Sequence, residues 1–213
     1  MFRHHRGDRV ADQYTGDDVE PNSVWFRAHQ HHLDTRAAED QISSGTDTRT
    51  LELGAELMHW TLDKVNLAVG AIYSEGSADS TETSRLSGYS AKGSLDGKAF
   101  TLFGTWSTNP GGRTGWYLDQ WLQYADFEHV VQGQDLAPER FGSKRTTASV
   151  EGGFGFLLHQ SERFDLVLQP QLQVVYSDVE MPVHMEANGT VVQPDHPGGW
   201  SARAGVRLMG TID

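Results

Sequence analysis

The stretch Gly115-Trp-Tyr-Leu-Asp-Gln-Trp-Leu-Gln-Tyr124 alternates in side-chain character with a period of two. Successive side chains of an extended chain point to opposite faces, so Trp116, Leu118, Leu122 and Tyr124 share one side and Tyr117, Asp119, Trp121 and Gln123 the other. The pattern recurs along the chain. Leu51, Leu53, Ala55 and Leu57 oppose Glu52, Gly54, Glu56 and Met58; Ala148, Val150, Phe154 and Phe156 oppose Ser149, Glu151, Gly153 and Gly155. Leu166, Leu168, Leu172 and Val174 oppose Gln169, Gln171 and Gln173, and Ala202, Ala204, Val206 and Leu208 oppose Ser201, Arg203, Gly205 and Arg207. Only Phe100-Thr-Leu-Phe103 is apolar on both sides. Read this way, the chain holds eight strands, roughly Ser23–Leu33, Thr50–Trp60, Val65–Ser74, Ser87–Ser107, Gly115–Gln132, Arg145–Leu158, Phe164–Val179 and Gly199–Gly210. Residues 1–22 are polar and broken by Gly16-Asp-Asp18 and Glu20-Pro-Asn22, and read as a mobile lead-in.

Composition excludes several classes. The 213 residues carry a formal net charge of -12 with the 10 histidines neutral. Mean hydropathy is -0.51, and no run approaches the ~18 consecutive apolar residues of a spanning helix, which rules out a helical membrane protein. The acid excess argues against nucleic acid or an anionic surface as partner, since phosphate binding is driven by Lys and Arg. With Cys 0 there is no disulfide, thiolate metal site or cysteine nucleophile. Gly at 23 residues is about 11% against an average of ~7%, and it is scattered through the patterned segments. Met1-Phe-Arg-His-His-Arg6 has no apolar core of ~7–15 residues, so no secretory signal is read on this chain.

Alternation of this kind suits any antiparallel sheet with one wet face, including a soluble β-sandwich or jelly roll. Strand length favours a different architecture. Soluble strands average ~5–6 residues, whereas several here exceed ten, and an outer-membrane strand needs ~9–11 residues at a steep tilt. Trp60, Tyr73, Trp106, Trp116, Tyr124 and Tyr176 lie near strand ends, where membrane barrels carry aromatic girdles. The pattern by itself leaves a membrane β-barrel and a soluble all-β domain both open.

Particular segments carry a resemblance. Ser23-Val-Trp-Phe-Arg-Ala-His-Gln-His-His-Leu-Asp34 resembles the opening barrel strand of autotransporter translocator domains, in which a Trp-x-Arg core is typical. Gly115–Tyr124 is similar to that family's central strand, and Leu136-Ala-Pro-Glu-Arg-Phe141 to the loop after it. Thr147-Ala-Ser-Val-Glu-Gly-Gly-Phe154, Pro170-Gln-Leu-Gln-Val-Val-Tyr176 and Arg203-Ala-Gly-Val-Arg-Leu208 resemble the next three signature strands in the same order, closest to the pertactin-like class. The resemblance implies an all-β, antiparallel up-and-down meander: about eight long strands of a barrel of about twelve, over 23–213, in the outer membrane of a Gram-negative bacterium. It implies a non-enzymatic translocator that anchors and helps export its own passenger, with outer-membrane lipid and the Bam assembly machinery as further partners, no nucleic acid and no cofactor. Arg27, Glu52, Glu56, Asp119, Gln123, Glu151, Gln171, Arg203 and Arg207 are expected to line the pore. Leu51, Leu53, Trp116, Leu118, Leu122, Val150, Phe154, Leu168 and Leu172 are expected to face lipid.

Other motifs have bland readings. His29 and His31 share a strand face at a spacing that can hold two metal ligands, yet no third ligand is evident, and polar lumen histidines account for them; no metal is expected. Asp119 with Glu151, or Asp126 with Glu128, could serve as a glycosidase acid and base on a jelly-roll face. A wet lumen needs acidic residues anyway. Some relatives cut their passenger in a linker helix with the help of lumen acids; that helix is not in this chain, so self-cleavage is not assigned. Arg6-Gly-Asp8 and the Asn188-Gly-Thr190 glycosylation pattern are short enough to arise by chance, and the latter reads as a turn between Met181 and His196.

The resemblance also implies strands beyond Met209-Gly-Thr-Ile-Asp213 and a plug helix upstream, of which Arg6-Gly-Asp-Arg-Val10 stands where a remnant would be. On this reading the chain is a fragment truncated at both ends. An open sheet in hydrocarbon leaves edges of unpaired backbone groups at several kcal/mol each, so tens of kcal/mol for ten-residue edges, which exceeds the ~5–15 kcal/mol stability of a domain. A self-closed eight-stranded barrel is the remaining alternative. If the eight strands stay open, the purified chain gives no stable single-channel conductance in planar bilayers; discrete long-lived steps would show that they close.

Overall fold

The computed structural model describes residues 23–37, 41–62, 65–108, 114–161, 164–195 and 198–212. The lead-in, with His4, His5 and Arg6-Gly-Asp8, lies outside them. Eight long strands form one antiparallel sheet: β1 (Val24–Ala37), β2 (Ile42–Leu62), β3 (Val65–Ser84), β4 (Ser90–Ser107), β5 (Gly115–Gly133), β6 (Glu139–Gln160), β7 (Phe164–Glu180) and β10 (Gly199–Ile212). A short hairpin, β8 (His184–Met185) and β9 (Val191–Val192), interrupts the connection from β7 to β10. Strand order follows chain order, β1-β2-β3-β4-β5-β6-β7-β10, an up-and-down meander curled into a half-barrel.

A sandwich needs two facing sheets, so the soluble sandwich and jelly-roll readings fail on topology. Self-closure fails as well: β1 and β10 stand at opposite ends of the strand order and do not pair. All eight expected strands form, several of them longer than the alternation suggests. β2 begins at Ile42 instead of Thr50, β3 runs to Ser84 instead of Ser74, and β6 begins at Glu139 instead of Arg145. In these extensions Ser, Thr, Gly and charged residues occupy both faces, so no apolar stripe marks them, while the backbone ladder continues regardless of side chain.

One face is buried and the other exposed. On β4, Ala99, Thr101, Phe103 and Thr105 are buried while Phe100, Leu102 and Trp106 are exposed, which resolves the segment that was apolar on both sides. The strict alternation of β2 is corrected at Leu57. A β-bulge shifts the register between Glu56 and Met58, pairing Glu56 with Gly70 and Met58 with Val69. Met58 therefore turns to the exposed face, at 47% exposure, and does not share the side of Glu52 and Gly54. A second bulge lies between Leu157 and His159 on β6. One extra residue increases local twist and re-aims the side chains beyond it.

The buried face is packed by one repeated device. Trp25 pairs with Gly54, Phe103 with Gly70, Phe127 with Gly97 and Tyr117 with Gly153, each directly across a strand boundary. In each pair the ring lies over the glycine, so closely that an added Cβ would fall 2.1 to 2.4 Å from ring atoms. At Gly70 it would also lie 2.3 Å from the backbone carbonyl oxygen of Ala55, which a side chain cannot evade by rotating. These pairs fill the concave side without pushing the strands apart. Gly70→Ala is expected to lower stability by about 1–3 kcal/mol, the range of overpacking. Gly152→Ala, where the nearest atom is 3.7 Å away, should cost much less; urea unfolding in detergent, comparing the two variants, checks the contrast.

Candidate functional site

The concave face is polar, although it is the buried one. Glu52, Ser74, Thr101, Thr105, Asp119, Gln123, Ser143, Thr147, Ser149, Glu151 and Gln169 are all buried there. Register aligns them in rows. Thr105, Asp119, Glu151, Gln173 and Arg203 are successive cross-strand partners from β4 to β10. Glu151 is the hub: the Tyr117 hydroxyl donates to its Oε1 at 2.9 Å, and the Arg203 guanidinium donates to its Oε2 at 3.0 Å. Tyr117 also reaches Oε1 of Gln171 at 3.2 Å. On neighbouring rows Gln123 donates to Thr101 at 2.9 Å and Gln173 to Ser149 at 3.0 Å, while Thr147 and Ser177 share a hydrogen bond at 3.1 Å.

Charges of both signs are distributed along this face. Arg27 faces Glu52 at 3.7 Å, and Glu56 accepts from His59 at 3.0 Å across the bulge. Arg145 lies with its guanidinium 5.6 Å from the Phe127 ring centre, an arrangement in which a cation is attracted by the ring face. Thus Arg27, Glu52, Glu56, Asp119, Gln123, Glu151, Gln171, Arg203 and Arg207 stand on one side of the sheet. The arrangement includes Tyr117, Arg145 and Gln173, which were not singled out from the sequence. The alternation already put Tyr117 and Gln173 on this side, but no linear signal shows that Glu151 sits between Tyr117 and Arg203.

Asp119 and Glu151 come together as direct cross-strand partners, yet Glu151 is committed to Tyr117 and Arg203. Asp126 and Glu128 lie on the opposite, exposed face. His29 and His31 pair with Thr50 and Thr48 on the concave side, and no cluster of metal-ligating residues occurs among the described residues. The neighbouring His32 belongs to the other face, where hydrogen bonding to Asp47 at 2.9 Å, with Asp34 close by, raises its pKa and favours the imidazolium.

The exposed face carries Leu51, Leu53, Trp116, Leu118, Leu122, Val150 and Leu172, with Phe154 and Leu168 half-buried among them. Two aromatic levels bound this apolar zone. Tyr73, Phe100 and Tyr124 are consecutive cross-strand partners at one level, continued by Tyr176 against Trp200 at 4.8 Å between ring centres. At the other, Trp106 pairs with Leu67 and Leu118, and Trp116 meets Phe154 edge to face at 4.9 Å. From Trp116 to Tyr124 is ~26 Å along β5, or roughly 20 Å in height at the ~35–45° tilt of membrane barrel strands. Beyond the first level, Glu75, Lys98, Asp126, Lys144 and Glu180 form an alternating row of charge across five strands.

The family described as Autotransporter beta-domain matches residues 24–213. The chain belongs to that family. An autotransporter β-domain is a translocator β-barrel of the outer membrane in type V secretion. The autotransporter adhesin AIDA-I of Escherichia coli is 27% identical over 97% of this chain and 17% of its own length, and the uncharacterized Escherichia coli protein YdeU is 29% identical over 97% of this chain and 47% of its own. The chain thus spans about half the length of YdeU or less of such relatives. The crystal structure of the transport unit of AIDA-I superposes with a TM-score of 0.80 at 26% identity, covering 97% of this chain and 71% of the other. The β-domain of the Bordetella autotransporter BrkA shares the fold at a TM-score of 0.65 and 19% identity, over 89% and 71% of the two chains.

Within this autotransporter β-domain the Tyr117–Glu151–Arg203 cluster ties β5 and β6 to β10, reaching across β7. Tyr117→Phe removes the hydroxyl whose single proton faces both Glu151 and Gln171 and is expected to cost about 1.5–3 kcal/mol, the range of one hydrogen bond to a charged group. A double-mutant cycle with Glu151→Gln, read from denaturant midpoints, should show coupling between the two positions; additivity would mean the contact contributes nothing.

Proposed function

We propose that this chain works as the membrane-embedded part of an autotransporter, anchoring and helping to export a passenger that belongs to the same precursor. The observation that carries the reading is the inversion of the faces: the polar side chains are buried on the concave face and the large apolar ones are exposed between two aromatic levels. A water-soluble domain does the reverse. In a bilayer the arrangement is the expected one, with an apolar belt against lipid and a polar interior holding water or a passing chain. On this reading Leu51, Leu53, Trp116, Leu118, Leu122, Val150, Phe154, Leu168 and Leu172 meet hydrocarbon. Arg27, Glu52, Glu56, Asp119, Gln123, Glu151, Gln171, Arg203 and Arg207 line the passage. Their mixed charge neither traps nor repels a polypeptide of either sign.

Orientation follows from the connections. At one end β2 joins β3 through 63–64, β4 joins β5 through 108–114 and β6 joins β7 through 161–163, whereas at the other end the longest connection, from β7 to β10, takes 181–198. Outer-membrane barrels keep short turns on the periplasmic side and longer loops outside, so the end with the Tyr73–Phe100–Tyr124 level and the polar strand extensions faces the cell exterior. The Bam machinery is the expected assembly partner, and lipid of the outer membrane the expected surround.

The test is substitution by face in the full precursor, with folding read from heat-modifiable gel mobility and display from protease accessibility of the passenger on intact cells. Leu122→Arg places a charge at mid-belt, at about 2–4 kcal/mol, and should abolish the folded band and display together. Gln123→Glu, one residue along but on the concave face, where the Arg145 guanidinium lies 3.4 Å away, should retain the folded band. Equal tolerance of both would remove the membrane assignment.

A further inference from the structure

We propose that the hairpin β8–β9 is a hinged flap in the barrel wall at the loop end, latched by ring stacking and opened when a chain leaves the passage. The proposal rests on the translocator reading.

Elsewhere the wall is held by long backbone ladders, broken only locally, as opposite Pro170 and at the two bulges. Above the Lys144–Glu180 pair, however, β7 ends while β6 continues to Glu139, paired there with β5 through Val131. The place of the missing β7 residues is taken by the hairpin, whose ladder is confined to its own two strands, His184 to Val192 and Met185 to Val191. Its contacts with the wall are made by side chains. His129, Phe141 and His184 stack as three near-parallel rings, with centres 4.8 and 4.7 Å apart and planes within 10° and 14°. His129 and Phe141 are cross-strand partners, so His184 supplies the ring that a β7 residue would have supplied. The backbone N–H of Ala187 donates to Oε1 of Glu139 at 2.7 Å.

The hairpin is built to move as a unit. Its turn is closed locally: Glu186 and Gly189 donate to the carbonyls of Thr190 and Glu186 at 2.8 Å each, Thr190 donates to the Asn188 side chain, and Gly189 takes φ of 87°, a left-handed conformation that glycine adopts without strain. Its root, Met181-Pro-Val183, contains a proline that brings no backbone donor to a ladder. Behind the latch is a cavity of about 390 Å³ walled by Val131, Leu136, Phe141, Met181 and Val192. That space is partly open to solvent, so the hairpin is not tightly packed on the wall there and the latch carries much of its hold. A segment with few packed contacts opens at lower free energy than the laddered strands around it.

The chain has no cysteine, so within it an introduced thiol is the only one. In the full precursor, a thiol at Val192 should react slowly with a maleimide, and at least fivefold faster when Phe141→Ala removes the middle ring; equal rates would overturn the latch. The double variant Phe141→Cys with His184→Cys replaces the stack by a disulfide. Oxidised in cells before export begins, it should reduce surface display several-fold, with recovery on adding a reductant. Undiminished display from oxidised precursor would overturn the flap as a gate. Failure of the reduced precursor to display its passenger would instead count against the translocator reading, and the maleimide rates would still decide whether the flap opens.

Discussion

The backbone has to be hydrogen-bonded throughout, and the rest of the structure follows from that requirement. In hydrocarbon an unpaired N–H or C=O costs several kcal/mol, so a chain that crosses the outer membrane by strands must ladder every strand to its neighbours. Here strands of 14 to 22 residues pair in sequence from β1 to β10, with local irregularities at two bulges and opposite Pro170. Side chains are then sorted by geometry alone: alternate residues point to the concave or the convex face, and a shift by one residue would exchange the two faces. The bulge at Leu57 shows how local that rule is, since one extra residue is enough to turn Met58 outward and return His59 to the side of Glu56.

Curling such a sheet crowds its inner side. The crowding is relieved by pairing a large ring with a bare glycine across the strand boundary, at Trp25–Gly54, Phe103–Gly70, Phe127–Gly97 and Tyr117–Gly153. The ring covers backbone that glycine leaves bare, and the glycine gives the ring room. This gives a packing role to four of the 23 glycines. It also leaves the remaining concave positions to polar residues, which bind one another across strands: Glu151 with Tyr117 and Arg203, Gln123 with Thr101, Gln173 with Ser149. Burial of these groups is tolerable because their partners are also on the concave face.

The likeness to the AIDA-I transport unit, at 26% identity and a TM-score of 0.80, has the same origin. A barrel wall asks of each position only which face it occupies and whether it is small, aromatic or polar. Many sequences meet those demands. The site is accordingly a surface instead of a constellation, and the most specialised contacts, the three stacked rings at Phe141 and the hub at Glu151, lie where the regular wall ends or where charges must be matched.

Alternation in the sequence located the eight strands and most of each face, Met58 excepted, while the meander order came from the family resemblance. Alternation is a local property, and Trp116 and Tyr117 already declare opposite sides before any neighbour is known. The aromatic residues were legible too, although Tyr73 and Tyr124, expected near strand ends, stand mid-strand because β3 runs to Ser84 and β5 to Gly133. Tertiary structure alone decided the rest. Polar extensions such as Gly76–Ser84 and Glu139–Lys144 became strand because a neighbour was there to pair with, although neither of their faces is apolar. Whether the eight strands close depends on curvature summed over the sheet, and it was settled by the absence of pairing between β1 and β10. Register, which no linear motif records, set Tyr117 over Gly153, brought Arg203 to Glu151 and carried His184 to Phe141, because cross-strand neighbours lie far apart in the chain and become adjacent only once the ladder has formed.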